Sequence, residues 1–90
     1  MGRYSLRIKK SAVKELDAFP GKKDRQRLVR RIRELSNEPR PPGAEKLSGV
    51  KDRYRIRQGN YRILYEIEDG QLMVHVVKIA DRKDVYRRAN

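Results

Sequence analysis

Apolar and polar residues alternate through two neighbouring stretches, Tyr54 to Gln58 and Tyr61 to Glu68, with only Gly59-Asn60 between them. A period of two belongs to a strand with one buried face, and Gly and Asn both tolerate the positive φ of a tight primed turn. The spacing predicts a β-hairpin in which Gln58 faces Tyr61, Arg57 faces Arg62, Ile56 faces Ile63 and Tyr54 faces Tyr65. One face then carries Tyr54, Ile56, Tyr61, Ile63, Tyr65 and Ile67, an aromatic and β-branched surface suited to packing under helices. The other face presents Arg55, Arg57 and Arg62, with Arg53 opposite Glu66. Like charges directly opposite each other repel, and an anion would relieve the opposition of Arg57 and Arg62.

The remaining pattern supplies the partners of this hairpin. Tyr4, Leu6 and Ile8 alternate with Arg3, Ser5 and Arg7, which predicts a short first strand. Ser11 stands where an N-cap would, and Ala12, Leu16 and Phe19, with Val13, recur at helical spacing before Pro20-Gly21 ends a first helix of about two turns. From Lys22 to Ser36 the positions Leu28, Ile32 and Leu35, with Val29 beside them, form one apolar stripe. The short link favours an antiparallel helical pair. Pro39, Pro41, Pro42 and Gly43 mark a loop. Asp69-Gly70 reads as a second two-residue turn, feeding a last strand from Gln71 to Ile79 in which Leu72 faces Ile67, Val74 faces Tyr65 and Val76 faces Ile63. Met73, His75, Val77 and Ile79 fall on the opposite face, with His75 across from Leu64 as a partly buried structural residue. The tail from Asp81 is charged and suits a short helix or an extended end. The expected fold is α+β: an N-terminal strand and a two-helix hairpin packed on an antiparallel sheet, in one domain spanning residues 1–90. The pairing of the first strand is left open by the spacing.

Charge adds a partner class. Lys and Arg number 24 against 12 Asp and Glu, a formal charge of +12 spread along the whole chain, and phosphate is the natural counterpart. Lys22, Lys23, Arg25, Arg27, Arg30, Arg31 and Arg33 surround the apolar stripe of the second helix and are candidates for gripping RNA by its backbone, although such a stripe is more often a solvated surface. With no cysteine and one histidine the chain offers neither a disulfide framework nor an expected metal centre. No apolar run approaches the roughly 20 residues of a membrane span and no signal-peptide core is present, so a soluble, cytoplasmic protein is expected.

The segments Leu47-Ser48-Gly49, Tyr54-Arg55-Ile56, Gly59-Asn60-Tyr61-Arg62-Ile63-Leu64-Tyr65 and Asp81-Arg82-Lys83-Asp84-Val85-Tyr86-Arg87 resemble the signature of the RelE/ParE superfamily of bacterial and archaeal toxins. The resemblance covers almost the whole chain. It implies a toxin of a type II toxin-antitoxin module, neutralised by a RelB-like antitoxin. In the RelE branch it implies a metal-independent, cofactor-free endoribonuclease that enters the ribosomal A site, where the mRNA 2′-hydroxyl attacks the adjacent phosphate. The positions matching the family's catalytic set are Arg55, Arg57, Arg62, Arg82 and Tyr86. The best-known members carry lysine where this chain has Arg55 and Arg57, and many carry histidine where Asp81 stands.

That departure has a chemical consequence. A guanidinium stays protonated at neutral pH, so Arg55 and Arg57 stabilise charge and cannot accept the hydroxyl proton. Tyr86 is then the remaining proton-transfer candidate of the matched set, with Asp81 as a further one. Two other readings fit the same composition: a ParE-type gyrase inhibitor on the same scaffold without nuclease activity, and a non-enzymatic basic RNA-binding protein. Tyr54, Tyr61 and Tyr65 lie on the expected core face and are read as packing rather than base-stacking groups.

Overall fold

The computed structural model of the chain describes residues 3–49 and 52–81. Strand β1 (Ser5–Ile8) leads into helices α1 (Lys10–Ala18) and α2 (Lys22–Glu34), then strands β2 (Glu45–Lys46), β3 (Arg53–Gln58), β4 (Tyr61–Glu68) and β5 (Met73–Asp81). The strands form one sheet in the order β1-β5-β4-β3-β2, antiparallel except where β1 joins β5 in parallel. Both helices lie on one face. Ala12 and Leu16 of α1 and Leu28 and Ile32 of α2 share a single buried cluster with Leu35, Ile56, Tyr61, Ile63, Tyr65, Ile67, Val74, Val76 and Ile79. Val13 is left 39% exposed and lies outside that cluster, although its spacing joins it to the stripe.

Local chemistry explains the boundaries. Helix α1 begins one residue ahead of the expected cap: Lys9 occupies the N-cap and Ser11 lies inside the first turn, with no side-chain capping bond. It ends at Phe19, whose extended φ and ψ of −73° and 132° are those imposed on a residue before proline. Helix α2 carries Asp24 in its first turn and Arg31 and Arg33 in its last, charges that complement the helix dipole at both ends. Glu15 of α1 then seals the sheet beyond the end of β1. Its carboxylate accepts hydrogen bonds from the Ile79 backbone N–H at 3.2 Å and from Lys78 Nζ at 2.6 Å, so an edge donor that β1 is too short to reach is paired.

The β3–β4 hairpin has the register the alternation predicts, pairing Gln58 with Tyr61, Arg57 with Arg62, Ile56 with Ile63 and Tyr54 with Tyr65. The positive φ at its turn falls on Gly59 alone, at 60°, as in a type II′ turn. The next connection departs from expectation. Asp69–Gln71 form a short 3-10 turn and Leu72 adopts a left-handed conformation, so four residues rather than two separate the strands and Ile67 pairs with Val74 instead of Leu72. An irregularity between Leu64 and Tyr65 then changes the phase, pairing Ile63 with Ile79 and placing Ile79 in the core rather than on the open face. His75 accordingly lies across from Glu66 and from Arg7 of β1, not from Leu64.

One buried bond fixes the proline-rich loop to the sheet. Tyr65 is fully buried and its hydroxyl donates to the Pro39 carbonyl at 2.7 Å. Burial pushes the phenol up to about 12, so it remains a donor at every physiological pH. Tyr65→Phe leaves that buried carbonyl without its partner and is expected to destabilise the fold by about 1–3 kcal/mol, read as a lower denaturant midpoint at constant slope.

A candidate anion site on the open face of the sheet

The face of β3 and β4 turned away from the helices is built from arginines. Strand alternation sends Ile56 and Ile63 into the core, and by the same rule sends Arg55, Arg57 and Arg62 to the other side. These three line a hollow of about 290 Å³ together with Gly43 and Glu45. Arg57 and Arg62 are direct cross-strand partners, and neither has an ion-pair partner among the described residues. Arg55 donates to Glu45 Oε2 at 2.6 Å. That bond first, and then the charges of Arg55, Arg57 and Arg62, hold the Glu45 carboxyl below its ordinary value. Arg53, next along the same face, is paired with Glu66 at 2.8 Å as the register requires. Three guanidiniums around one small concavity can hold a tetrahedral or pentacoordinate phosphate, donating along several of its oxygens at once. Arg82 and Tyr86, the other two members of the expected set, lie outside the described residues.

Gly43 and Glu45 carry no signal in the sequence that marks them for this site. A two-residue strand has no period to detect, and Glu45 is recognisable only through its pairing with Arg55. The segment that delivers them is clasped at its start. The Arg40 guanidinium donates twice to the Asp69 carboxylate, at 3.2 and 2.8 Å, and once to the Tyr54 hydroxyl at 3.0 Å, and it lies 5.2 Å from the centre of the Tyr54 ring. Tyr4 adds a hydrogen bond to the same carboxylate at 2.8 Å. The bonds from Arg40 and then Tyr4 hold the Asp69 carboxyl below its ordinary value. A depressed carboxyl stabilises the fold above its unfolded pKa, near about 3.9, and loses that contribution as pH falls through the lower folded value. Asp69→Asn is therefore expected to melt at a lower temperature than the parent at pH 7, with the gap closing as the pH falls through and below the ordinary carboxylate range.

The cations of α2 divide into two that are partly buried, Arg25 and Arg31, and five that are exposed. Lys22, Arg25, Arg30 and Arg33 border a groove of about 640 Å³ between the helices, floored by Leu16 and Val29. Arg25 is tied down by a hydrogen bond to the Phe19 carbonyl. Arg31 is half-buried, 4.0 Å from Glu34, with its Nε lacking a hydrogen-bond partner among the described residues. Lys22, Lys23, Arg27, Arg30 and Arg33 are exposed. No helix among the described residues is long and apolar enough to cross a membrane.

A small, strongly basic α+β scaffold with helices on one side of its sheet and an arginine-lined hollow on the other defines the class. The family model for the ParE toxin of type II toxin-antitoxin systems matches residues 6–86. The chain is similar to the mRNA interferase toxin RelE of Escherichia coli, 32% identical over 90 residues that span 96% of this chain and 93% of that protein. The fold is similar to RelE in the archaeal RelE-RelB complex of Pyrococcus horikoshii, with a TM-score of 0.79 and 30% identity over 89% of this chain and 96% of that one. It is similar as well to the isolated E. coli RelE toxin, with a TM-score of 0.75 and 30% identity over 96% and 94% of the two chains. The protein belongs to the ParE toxin family, within the RelE/ParE superfamily of type II toxin-antitoxin toxins.

Proposed function

We propose that this toxin is an endoribonuclease of the RelE kind, which cleaves mRNA in the ribosomal A site and so halts translation in the cytoplasm. The observation that carries the reading is the meeting of Arg55, Arg57 and Arg62 around one hollow, with Arg57 and Arg62 set against each other at an electrostatic cost that a bound phosphate reverses. In the reaction the 2′-oxygen bonds to phosphorus and the bond to the 5′-oxygen of the next nucleotide breaks, leaving a cyclic phosphate and a free 5′-hydroxyl. Negative charge builds on the non-bridging oxygens as the phosphorus becomes five-coordinate, and guanidinium donors fixed by strand pairing are aimed where it builds. Arginine supplies no base at neutral pH, so proton transfer falls to Tyr86, the one member of the matched set that is not an arginine. The exposed cations of α2 hold ribosomal RNA by its backbone. A RelB-like antitoxin is the neutralising partner, in keeping with the RelB complexes among the similar structures.

The ParE family match sustains one rival, a gyrase inhibitor on the same scaffold. Cell-free translation of a defined message followed by primer extension separates the two. Breaks at the A-site codon that vanish in an Arg62→Ala variant establish the nuclease. Intact message together with blocked DNA supercoiling establishes the gyrase inhibitor instead.

A further inference from the structure

The arginine hollow contains a negative group of its own. Glu45 is directly across from Arg55 in the β2–β3 pairing, and its carboxylate takes the hydrogen bond from Arg55 Nη2. It is the one acid among the described residues lining the hollow. A carboxylate and a phosphodiester offer a guanidinium fork the same element, two oxygens sharing one negative charge. Resting on the nuclease reading above, we infer that the Glu45 carboxylate occupies an oxyanion position that the scissile phosphate takes in the complex, so that RNA binds by displacing it from Arg55.

The geometry suits an exchange. The Glu45 backbone is fixed by strand pairing, but its side chain is 65% exposed and is free to swing outward. Arg55 is held by no other acid among the described residues, so releasing Glu45 hands over a complete donor set. Within the hollow the carboxylate offsets one of three like charges that the sheet brings together. Proton transfer is a poor alternative role, because general-base catalysis favours a group that titrates near the working pH and the surrounding arginines push this carboxyl the other way.

The test is binding of a dinucleoside phosphate whose 2′-hydroxyl is methylated, so that it cannot be cleaved, titrated calorimetrically into the whole chain at pH 7 with inorganic phosphate as a second probe. Glu45→Gln keeps the shape and removes the charge, and is expected to tighten binding of both probes by about threefold to fivefold, the scale of a surface ion pair. Arg55→Ala is expected to weaken binding, and adding Glu45→Gln to it to change little, since the guanidinium for which carboxylate and phosphate compete is already gone. Unchanged or weaker binding by Glu45→Gln, with an unaltered circular-dichroism melt showing that it folds, overturns the inference; weaker binding would make Glu45 an organiser of Arg55 instead. Failure of this inference and failure of the nuclease reading are distinguishable. Tighter binding with no cleavage of message sinks the nuclease and leaves the exchange standing, and cleavage with no tightening does the reverse.

Discussion

Arg62→Ala is expected to lower the rate of A-site cleavage by about a hundredfold to a thousandfold, the loss that follows removal of one donor aimed at charge developing in a transition state. The single-turnover rate of message cleavage on programmed ribosomes, read by primer extension, checks it. The structure supplies its own control. Arg62 stands directly across the hairpin from Arg57 and has no ion pair among the described residues, so its removal relieves a like-charge opposition and breaks no ion pair. Thermal stability should therefore hold or rise by roughly a few tenths of a kcal/mol while activity collapses. A variant that lost activity through unfolding would show the opposite. Arg62→Lys retains the charge without the planar fork and is expected to fall between, about tenfold below the parent.

The part of this site that can be read from the chain is the part fixed by a two-residue turn. Once Gly59-Asn60 closes the hairpin, register follows, and register assigns Arg55, Arg57 and Arg62 to one face without any long-range information. The next strand has no such constraint. Asp69-Gly70 looks like the same kind of turn, but Asp69 is engaged by Arg40 and Tyr4, residues distant along the chain, and the connection runs on through a left-handed Leu72. A shift of two keeps Val74 and Val76 on the core side, and the expectation fails at both ends of the strand: at Leu72, which is left exposed in the turn, and at Ile79, past the irregularity beside Leu64. The parallel docking of β1 against β5, and the addition of β2 with Glu45 at the opposite edge, depend on tertiary packing that no local period encodes. The helical stripe of Leu28, Ile32 and Leu35 is legible, whereas the fate of the cations around it is not. Arg25 and Arg31 fit the basic face by spacing, yet the first is spent on the Phe19 carbonyl and the second is half-buried beside Glu34.

Under the proposed function, that division sets the salt dependence expected of ribosome binding. If only the exposed Lys22, Lys23, Arg27, Arg30 and Arg33 of α2 reach phosphates, the logarithm of the affinity should fall against the logarithm of salt with a slope of about −3.5 to −4.5, where the full set of seven would give about −5 to −6. The lower range corresponds to an affinity drop of about a hundredfold to a few hundredfold between 50 and 200 mM salt. Filter binding to empty ribosomes across that range, with the antitoxin absent, measures the slope directly. Replacing Arg27 and Arg30 by glutamine should flatten it by about two, one step for each phosphate no longer neutralised, and leave cleavage of saturated complexes intact. Replacing Arg25 should leave the slope alone and lower the melting temperature instead, because its guanidinium closes the turn between the helices. Arg62→Ala should move the slope by no more than about one, since on the proposed reading the hollow holds a single phosphate. A slope that fails to respond to Arg27 and Arg30 would move the RNA-binding surface off α2.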